Sequence, residues 1–128
     1  MPKMEVNASR EDAMVVRVTA RDNYLLADAT EKDGGSSKYA SPKEMFMASV
    51  ASCKVMTVML YAQRKGWEVE DVQIHLEFSP QYGRDYVMYQ RIEIISDLDQ
   101  EKIDRLKEIA ELCPVGQYMK QGITFVNQ

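Results

Sequence analysis

The stretch from Ser41 to Gly66, SPKEMFMASVASCKVMTVMLYAQRKG, constrains this chain more than any other. Ser41 is a good N-cap, Pro42 fits the first helical position, and Glu44 stands three residues after the cap, so a capping box predicts a helix start here. Between Met45 and Ala62 the polar groups are Ser49, Ser52, Lys54, Thr57 and the hydroxyl of Tyr61. Apolar side chains therefore cover nearly the whole circumference, and such a helix is expected to be buried on most sides. Arg64 and Lys65 suit the last turn and Gly66 the stop. The apolar run is short for a bilayer span, and Lys54 near its middle would cost about 2.5–3.5 kcal/mol at the membrane centre. A central helix of a soluble domain is the better reading. Ala48, Ser49, Ala51 and Ser52 form a small-residue patch through which another helix, of the same chain or of a second copy, could approach closely.

The rest of the chain supplies strands for that helix. MVVRVTAR, from Met14, alternates: Val16, Val18 and Ala20 share one face, and Val15, Arg17, Thr19 and Arg21 the other. A turn at Asp22-Asn23 would return YLLADAT as the second arm of a hairpin. EKDGGSSKYA, residues 31–40, reads as a mobile surface loop. After the helix, Val72, Ile74, Leu76 and Phe78 alternate with Gln73, His75 and Glu77, which turns His75 away from the core. A turn at SPQYGRD leads to a partner strand, YVMYQRIEII. SDLDQEKIDRLKEIAEL is amphipathic, capped by Ser96 or Asp97, with Leu98, Ile103, Leu106, Ile109, Ala110 and Cys113 on its apolar face. Pro114 breaks it, VGQYMKQ predicts a short further helical turn, and GITFVN a last strand. The expected order is β-β-α-β-β-α-(α)-β, an α+β fold with antiparallel pairing in one domain spanning residues 1–128.

Charge and cysteine usage narrow the function classes. A net charge of -4 with no clustered Lys or Arg lacks the footprint of a nucleic-acid binder. MPKMEVNASREDA has no apolar signal-peptide region, so a cytoplasmic location is expected. Thiols stay reduced there, and Cys53 and Cys113 are read as either buried hydrophobes or redox-active groups rather than a permanent staple. With one histidine and no CxxC, no metal site is expected. No Gly-rich phosphate loop or hydrolase motif occurs, so no cofactor is expected either. The methionines, including Met45, Met47, Met56 and Met59, read as core filler.

Each candidate residue has a structural and a chemical reading. Cys53 lies on the apolar helix, where burial alone would explain it, and Lys54 projects about 100° away around the helix. Cys113 is either the last buried position of the amphipathic stripe or the N-cap of the segment beginning at Pro114, a place that favours thiolates. Glu44 is accounted for by the capping box. Arg17 and Arg21 are expected in solvent, although an Arg in either place could stabilise a thiolate.

The combination of SPKEMFMASVASCKVMTV, a two-strand meander and an amphipathic helix ending in LCPVG resembles the OsmC/Ohr family of stress-induced proteins, many of which reduce organic hydroperoxides with thiols. The resemblance covers most of the chain from Met14 onward. It implies an OsmC-like fold and an intertwined homodimer in which long cysteine-bearing helices pack centrally. It also implies roles: Cys53 as the peroxidatic thiolate, Cys113 as the resolving thiol that closes a disulfide, and a dithiol reductant, of which dihydrolipoyl groups are the usual family donor. In the peroxidase branches a Glu directly follows the helix-start Pro and works with an Arg from the N-terminal strands. Here Lys43 follows Pro42 and the acid is Glu44, a Pro-x-Glu form similar to a less characterised branch; Arg21, in TARDN, is the nearest match to the Arg, and Arg17 the next.

The resulting expectation is a homodimeric thiol peroxidase acting on small organic hydroperoxides, with Cys53, Cys113, Arg21 and Glu44 as its site. It would have no nucleic-acid or membrane partner. An apolar pocket near Cys53, lined by Phe46, Met47, Met56 and Tyr118, would hold the substrate. The alternative is a dimer of the same fold that binds an apolar ligand or senses redox state without turnover.

Overall fold

A computed structural model describes residues 3–79 and 86–128. The expected turn SPQYGRD falls, apart from its first residue, outside the described residues. Among the described residues the fold is α+β, with a three-stranded and a two-stranded antiparallel sheet and three α-helices. Two compact units, Met1–Phe46 and Met47–Gln128, divide the chain.

In the first unit, β1 (Asn7–Asp12), β2 (Val15–Ala20) and β3 (Asn23–Ala27) pair in that order. The expected hairpin is β2–β3, but Ala20 faces Asn23 across the ladder, so the two-residue turn is Arg21-Asp22, one position earlier than expected. Arg21 takes the left-handed conformation (φ 58) that such hairpin turns require. Strand β1 was not foreseen, because NASRED has no apolar alternation and stays exposed along its length. Backbone pairing to β2 orders it, with an Arg17–Glu11 ion pair across the two strands, a register shift between Arg10 and Asp12 and a turn at Ala13 (φ 50).

The loop expected to be mobile is organised around Asp28, which is 2% exposed. Its carboxylate accepts hydrogen bonds from the backbone N–H groups of Ala29 (2.8 Å), Ser36 (3.2 Å) and Lys38 (3.2 Å) and from the Ser36 hydroxyl. The Asp28 N–H donates to the Ala40 carbonyl at 3.1 Å. Gly35 makes this wrapping possible, since a Cβ there would lie 2.0 Å from the Ala29 carbonyl oxygen. Composition signalled only Gly, Ser and charge, whereas order comes from an acid that precedes the stretch.

The Ser36 hydroxyl, with the backbone N–H groups of Lys38, Ala29 and Ser36, holds the Asp28 carboxyl below its usual value of 3.8, against the opposing effect of burial. A carboxyl whose folded pKa is depressed stabilises the fold above its unfolded pKa and ceases to do so as pH falls through the folded value. Acidification below the ordinary Asp range is therefore expected to release the loop. An NMR titration should place the Asp28 midpoint below 3.8, with the Ser36 and Lys38 amide signals moving in step. Ser36→Ala should raise that midpoint.

In the second unit, α1 (Pro42–Lys65, starting in the first) packs against β4 (Asp71–Ser79), β5 (Val87–Ile95) and α2 (Gln100–Ala110). Val58 and Ala62 meet Val72, Ile94, Leu106 and Ala110 in one buried cluster. The β4 alternation holds: Val72 is buried, while Gln73, His75 and Glu77 are exposed. Helix α1 ends as expected, with Gly66 at φ 72 and the Trp67 N–H returning to the Ala62 carbonyl at 2.9 Å.

Four expectations for this unit are corrected. Helix α1 buries only the i, i+4 stripe Val50, Lys54, Val58 and Ala62, rather than most of its circumference, because one sheet and one helix cover a single face. Met56 (68% exposed) and Met59 are consequently not core filler within this chain. The α2 cap is Asp99, whose carboxylate accepts the Lys102 N–H at 3.0 Å, neither Ser96 nor Asp97. GITFVN is not a strand: residues 122–128 follow α3 (Pro114–Gln121) without ladder pairing, and Phe125 is 92% exposed.

Candidate active site

Cys53 sits in the middle of α1, part-exposed, and its carbonyl accepts the Thr57 hydroxyl at 2.7 Å. Cys113 is the N-cap of α3, with extended backbone (φ -62, ψ 137) and Pro114 at the start of the helix. Of the two readings of Cys113, the structure combines both: it caps α3 and its side chain is completely buried. Both thiols are free and both belong to the second unit.

The Cys113 sulfur lies directly over the first turn of α3. A Cβ added at Gly116 would stand 2.9 Å from that sulfur, inside contact distance. Only the absence of a side chain at residue 116 leaves room for the thiol. Gly116→Ala is therefore expected to destabilise the protein by about 1–3 kcal/mol through overpacking, measurable by urea denaturation. It should also displace the sulfur, seen as a changed rate of Cys113 labelling.

Lys54, immediately after Cys53, is the residue whose position the sequence reading missed. It points inward and is only 6% exposed. Its ammonium donates to the Ala110 carbonyl at 3.2 Å and lies 3.6 Å from a carboxylate oxygen of Glu111. The same carboxylate accepts from the Gln90 amide of β5, and the Glu111 carbonyl accepts the Gln117 amide of α3 at 3.0 Å. A single cation inside an otherwise apolar helix was the available signal, since such a group must find a partner when buried.

The remaining predicted site residues lie in the first unit. Arg21 is exposed at the β2–β3 turn. Arg17 stacks on Tyr24, 4.0 Å from the ring centre, and pairs with Glu11 at 3.6 Å. The capping box is present: the Glu44 carboxylate accepts the Ser41 N–H at 3.0 Å, and the Glu44 N–H donates to the Ser41 hydroxyl at 3.3 Å. Bonds from the Ser41 backbone, then its hydroxyl, hold the Glu44 carboxyl below its usual value.

An open groove of about 1010 Å³ lies against the second half of α1, its lining mixing Met56, Met59, Leu60, Trp67 and Leu98 with the acidic Glu68, Glu70 and Asp97. Met56 is the one residue it shares with the expected substrate pocket. Tyr118 is half-exposed on α3. Among the described residues, no group of His, Cys, Asp or Glu could hold a metal ion.

Residues 34–126 match the family described as OsmC-like protein. No curated protein matches the chain by sequence. Among solved structures, an OsmC-like protein from Mycoplasma pneumoniae is 17% identical, with TM-score 0.79 over 95% of this chain and 89% of that one. An organic hydroperoxide resistance protein OsmC from Legionella pneumophila, also described as a predicted redox protein, is 18% identical, with TM-score 0.67 over 94% and 90%. An organic hydroperoxide resistance protein from Elizabethkingia anophelis is 15% identical, with TM-score 0.70 over 96% and 91%. At these identities the likeness shows a shared fold.

Proposed function

Because the chain belongs to the OsmC-like protein family, we propose that it is a homodimeric thiol peroxidase that reduces small organic hydroperoxides through Cys53 and Cys113. The observation that carries this reading is the unequal pair of free thiols in one unit: Cys53 open to a substrate, Cys113 enclosed at a helix start. Fold neighbours named for organic hydroperoxide resistance support the substrate class.

The chemistry balances with these two residues and one external reductant. The Cys53 thiolate attacks the terminal peroxide oxygen, the O–O bond breaks, and the alkoxide leaves as an alcohol after taking a proton. Cys53 is then a sulfenic acid. Cys113 attacks that sulfur, a disulfide forms and water leaves. A dithiol, of the dihydrolipoyl type, restores both thiols by exchange. Arg21 and Glu44 keep the supporting role that the family resemblance gives them, the guanidinium stabilising the thiolate and the carboxylate orienting the guanidinium.

Dimerisation is part of the proposal. Met56, Met59 and Leu60 leave a broad apolar face of α1 uncovered, which a second copy would bury. By length and composition α1 could also cross a membrane, but Lys54 is satisfied by polar groups of its own unit, as in a core helix. The proposal places the protein in the cytoplasm.

The test is to give the purified protein one equivalent of cumene hydroperoxide and titrate thiols. The proposal expects two thiols per chain to be lost to a disulfide, recovery with dihydrolipoamide, and a solution mass of two chains by light scattering. Unreacted peroxide and intact thiols would overturn it. The second reading, a redox-silent dimer that binds an apolar ligand, is favoured by one observation: the Glu44 carboxylate is already engaged by its own cap. It expects no thiol to be lost.

A further inference from the structure

We propose that Lys54 is a positioning residue for disulfide closure, a clamp that fixes the α2–α3 junction bearing Cys113 against the helix bearing Cys53. The inference rests on the peroxidase reading above and extends it to a residue with no part in the chemistry of peroxide reduction.

Four elements meet at this junction. The Lys54 ammonium of α1 binds the Ala110 carbonyl at the end of α2 and the Glu111 carboxylate. Gln90 of β5 binds the same carboxylate, and Gln117 of α3 binds the Glu111 carbonyl. A helix C-terminus is where a cation is electrostatically welcome, and the carboxylate completes the neutralisation of a buried charge. An apolar side chain at residue 54 could fill the space and would avoid desolvating a charge. What it could not do is reach a backbone carbonyl and fix its direction.

The clamp is adjacent to both thiols. Cys53 directly precedes Lys54, and Cys113 follows Glu111 by two residues. A disulfide forms only when its Cα atoms come within ~7 Å and the sulfurs align, so a small slip of the junction lowers the closure rate steeply. In the step concerned, the Cys113 sulfur attacks the Cys53 sulfenic sulfur, the S–S bond forms, the S–O bond breaks, and the leaving hydroxide departs as water with the thiol proton. Lys54 neither gives nor takes that proton. It holds the attacking residue in place.

The experiment separates the two half-reactions in the full-length protein. For Lys54→Met, consumption of a first equivalent of cumene hydroperoxide should stay within about twofold of the parent, since that step needs no junction. Disulfide formation, followed by quenched mass spectrometry, should slow by at least about tenfold, with a dimedone adduct accumulating on Cys53. Diamide, which oxidises vicinal thiols without a peroxide, should show the same slowing, so the clamp is read even if the parent protein ignores hydroperoxides. Parent protein that leaves the peroxide untouched would sink the peroxidase reading; Lys54→Met that closes its disulfide at the parent rate with either oxidant would sink the clamp. Glu111→Gln, which keeps the Gln90 contact in kind and removes the charge, gives the second readout should Lys54→Met not fold. It should slow closure in the same direction, and an unchanged closure rate would overturn the clamp as well.

Discussion

Cys53→Ser is expected to abolish peroxide consumption, lowering the rate by about a thousandfold or more. A hydroxyl has nearly the same size as a thiol and fits the same part-exposed position on α1, so the fold should be unaffected. What is lost is the nucleophile: sulfur attacks the peroxide oxygen as a thiolate, whereas a serine hydroxyl is far less acidic and has no base within its own helix turn. Cys113→Ser should behave differently. It should still reduce the first equivalent of hydroperoxide, because O–O cleavage needs only Cys53, and then stop with a sulfenic acid that dimedone traps. Stopped-flow peroxide consumption with mass spectrometry of the quenched protein distinguishes the two variants. Full activity in Cys53→Ser would remove that residue from the chemistry.

The second large effect concerns the packing that holds the junction. Leu106→Ala should cost about 3–5 kcal/mol, since its side chain is completely buried and packs in the cluster with Val58, Ala62, Val72 and Ile94. That is a large share of the 5–15 kcal/mol typical of a domain, so the urea midpoint should fall sharply. Leu106 is where α2 is pinned to α1 and the β4–β5 ladder, four residues before the Ala110 carbonyl that Lys54 binds. Buffer temperatures at which Leu106→Ala remains folded should therefore also show slower disulfide closure than the parent. Lys107→Ala, on the exposed side of the same helix, serves as the control and should shift stability by no more than about 0.5 kcal/mol.

Elements carried by periodicity or by a local cap were legible in advance. The capping box at Ser41 and Glu44, the stop at Gly66, the alternation along β4 and the Pro114 break each depend on residues within a few positions of one another. The misses are those in which distant groups decide. Strand β1 is ordered by pairing with β2, and Asp28 orders a loop that composition marks as mobile. The expected strand GITFVN has the right period and finds no partner among the described residues.

The same division runs through the candidate site. That a capped, largely apolar helix carries Cys53 and a proline junction carries Cys113 follows from residues close together along the chain, because helix signals and proline sterics are local. Tertiary structure alone decided which face of that helix is covered, that Cys113 is enclosed against Gly116, and that Lys54 turns inward to the end of α2. Periodicity tells how a side chain is spaced around its own helix. Whether a buried ammonium is satisfied depends on carbonyls and carboxylates more than fifty residues away, which no local pattern encodes.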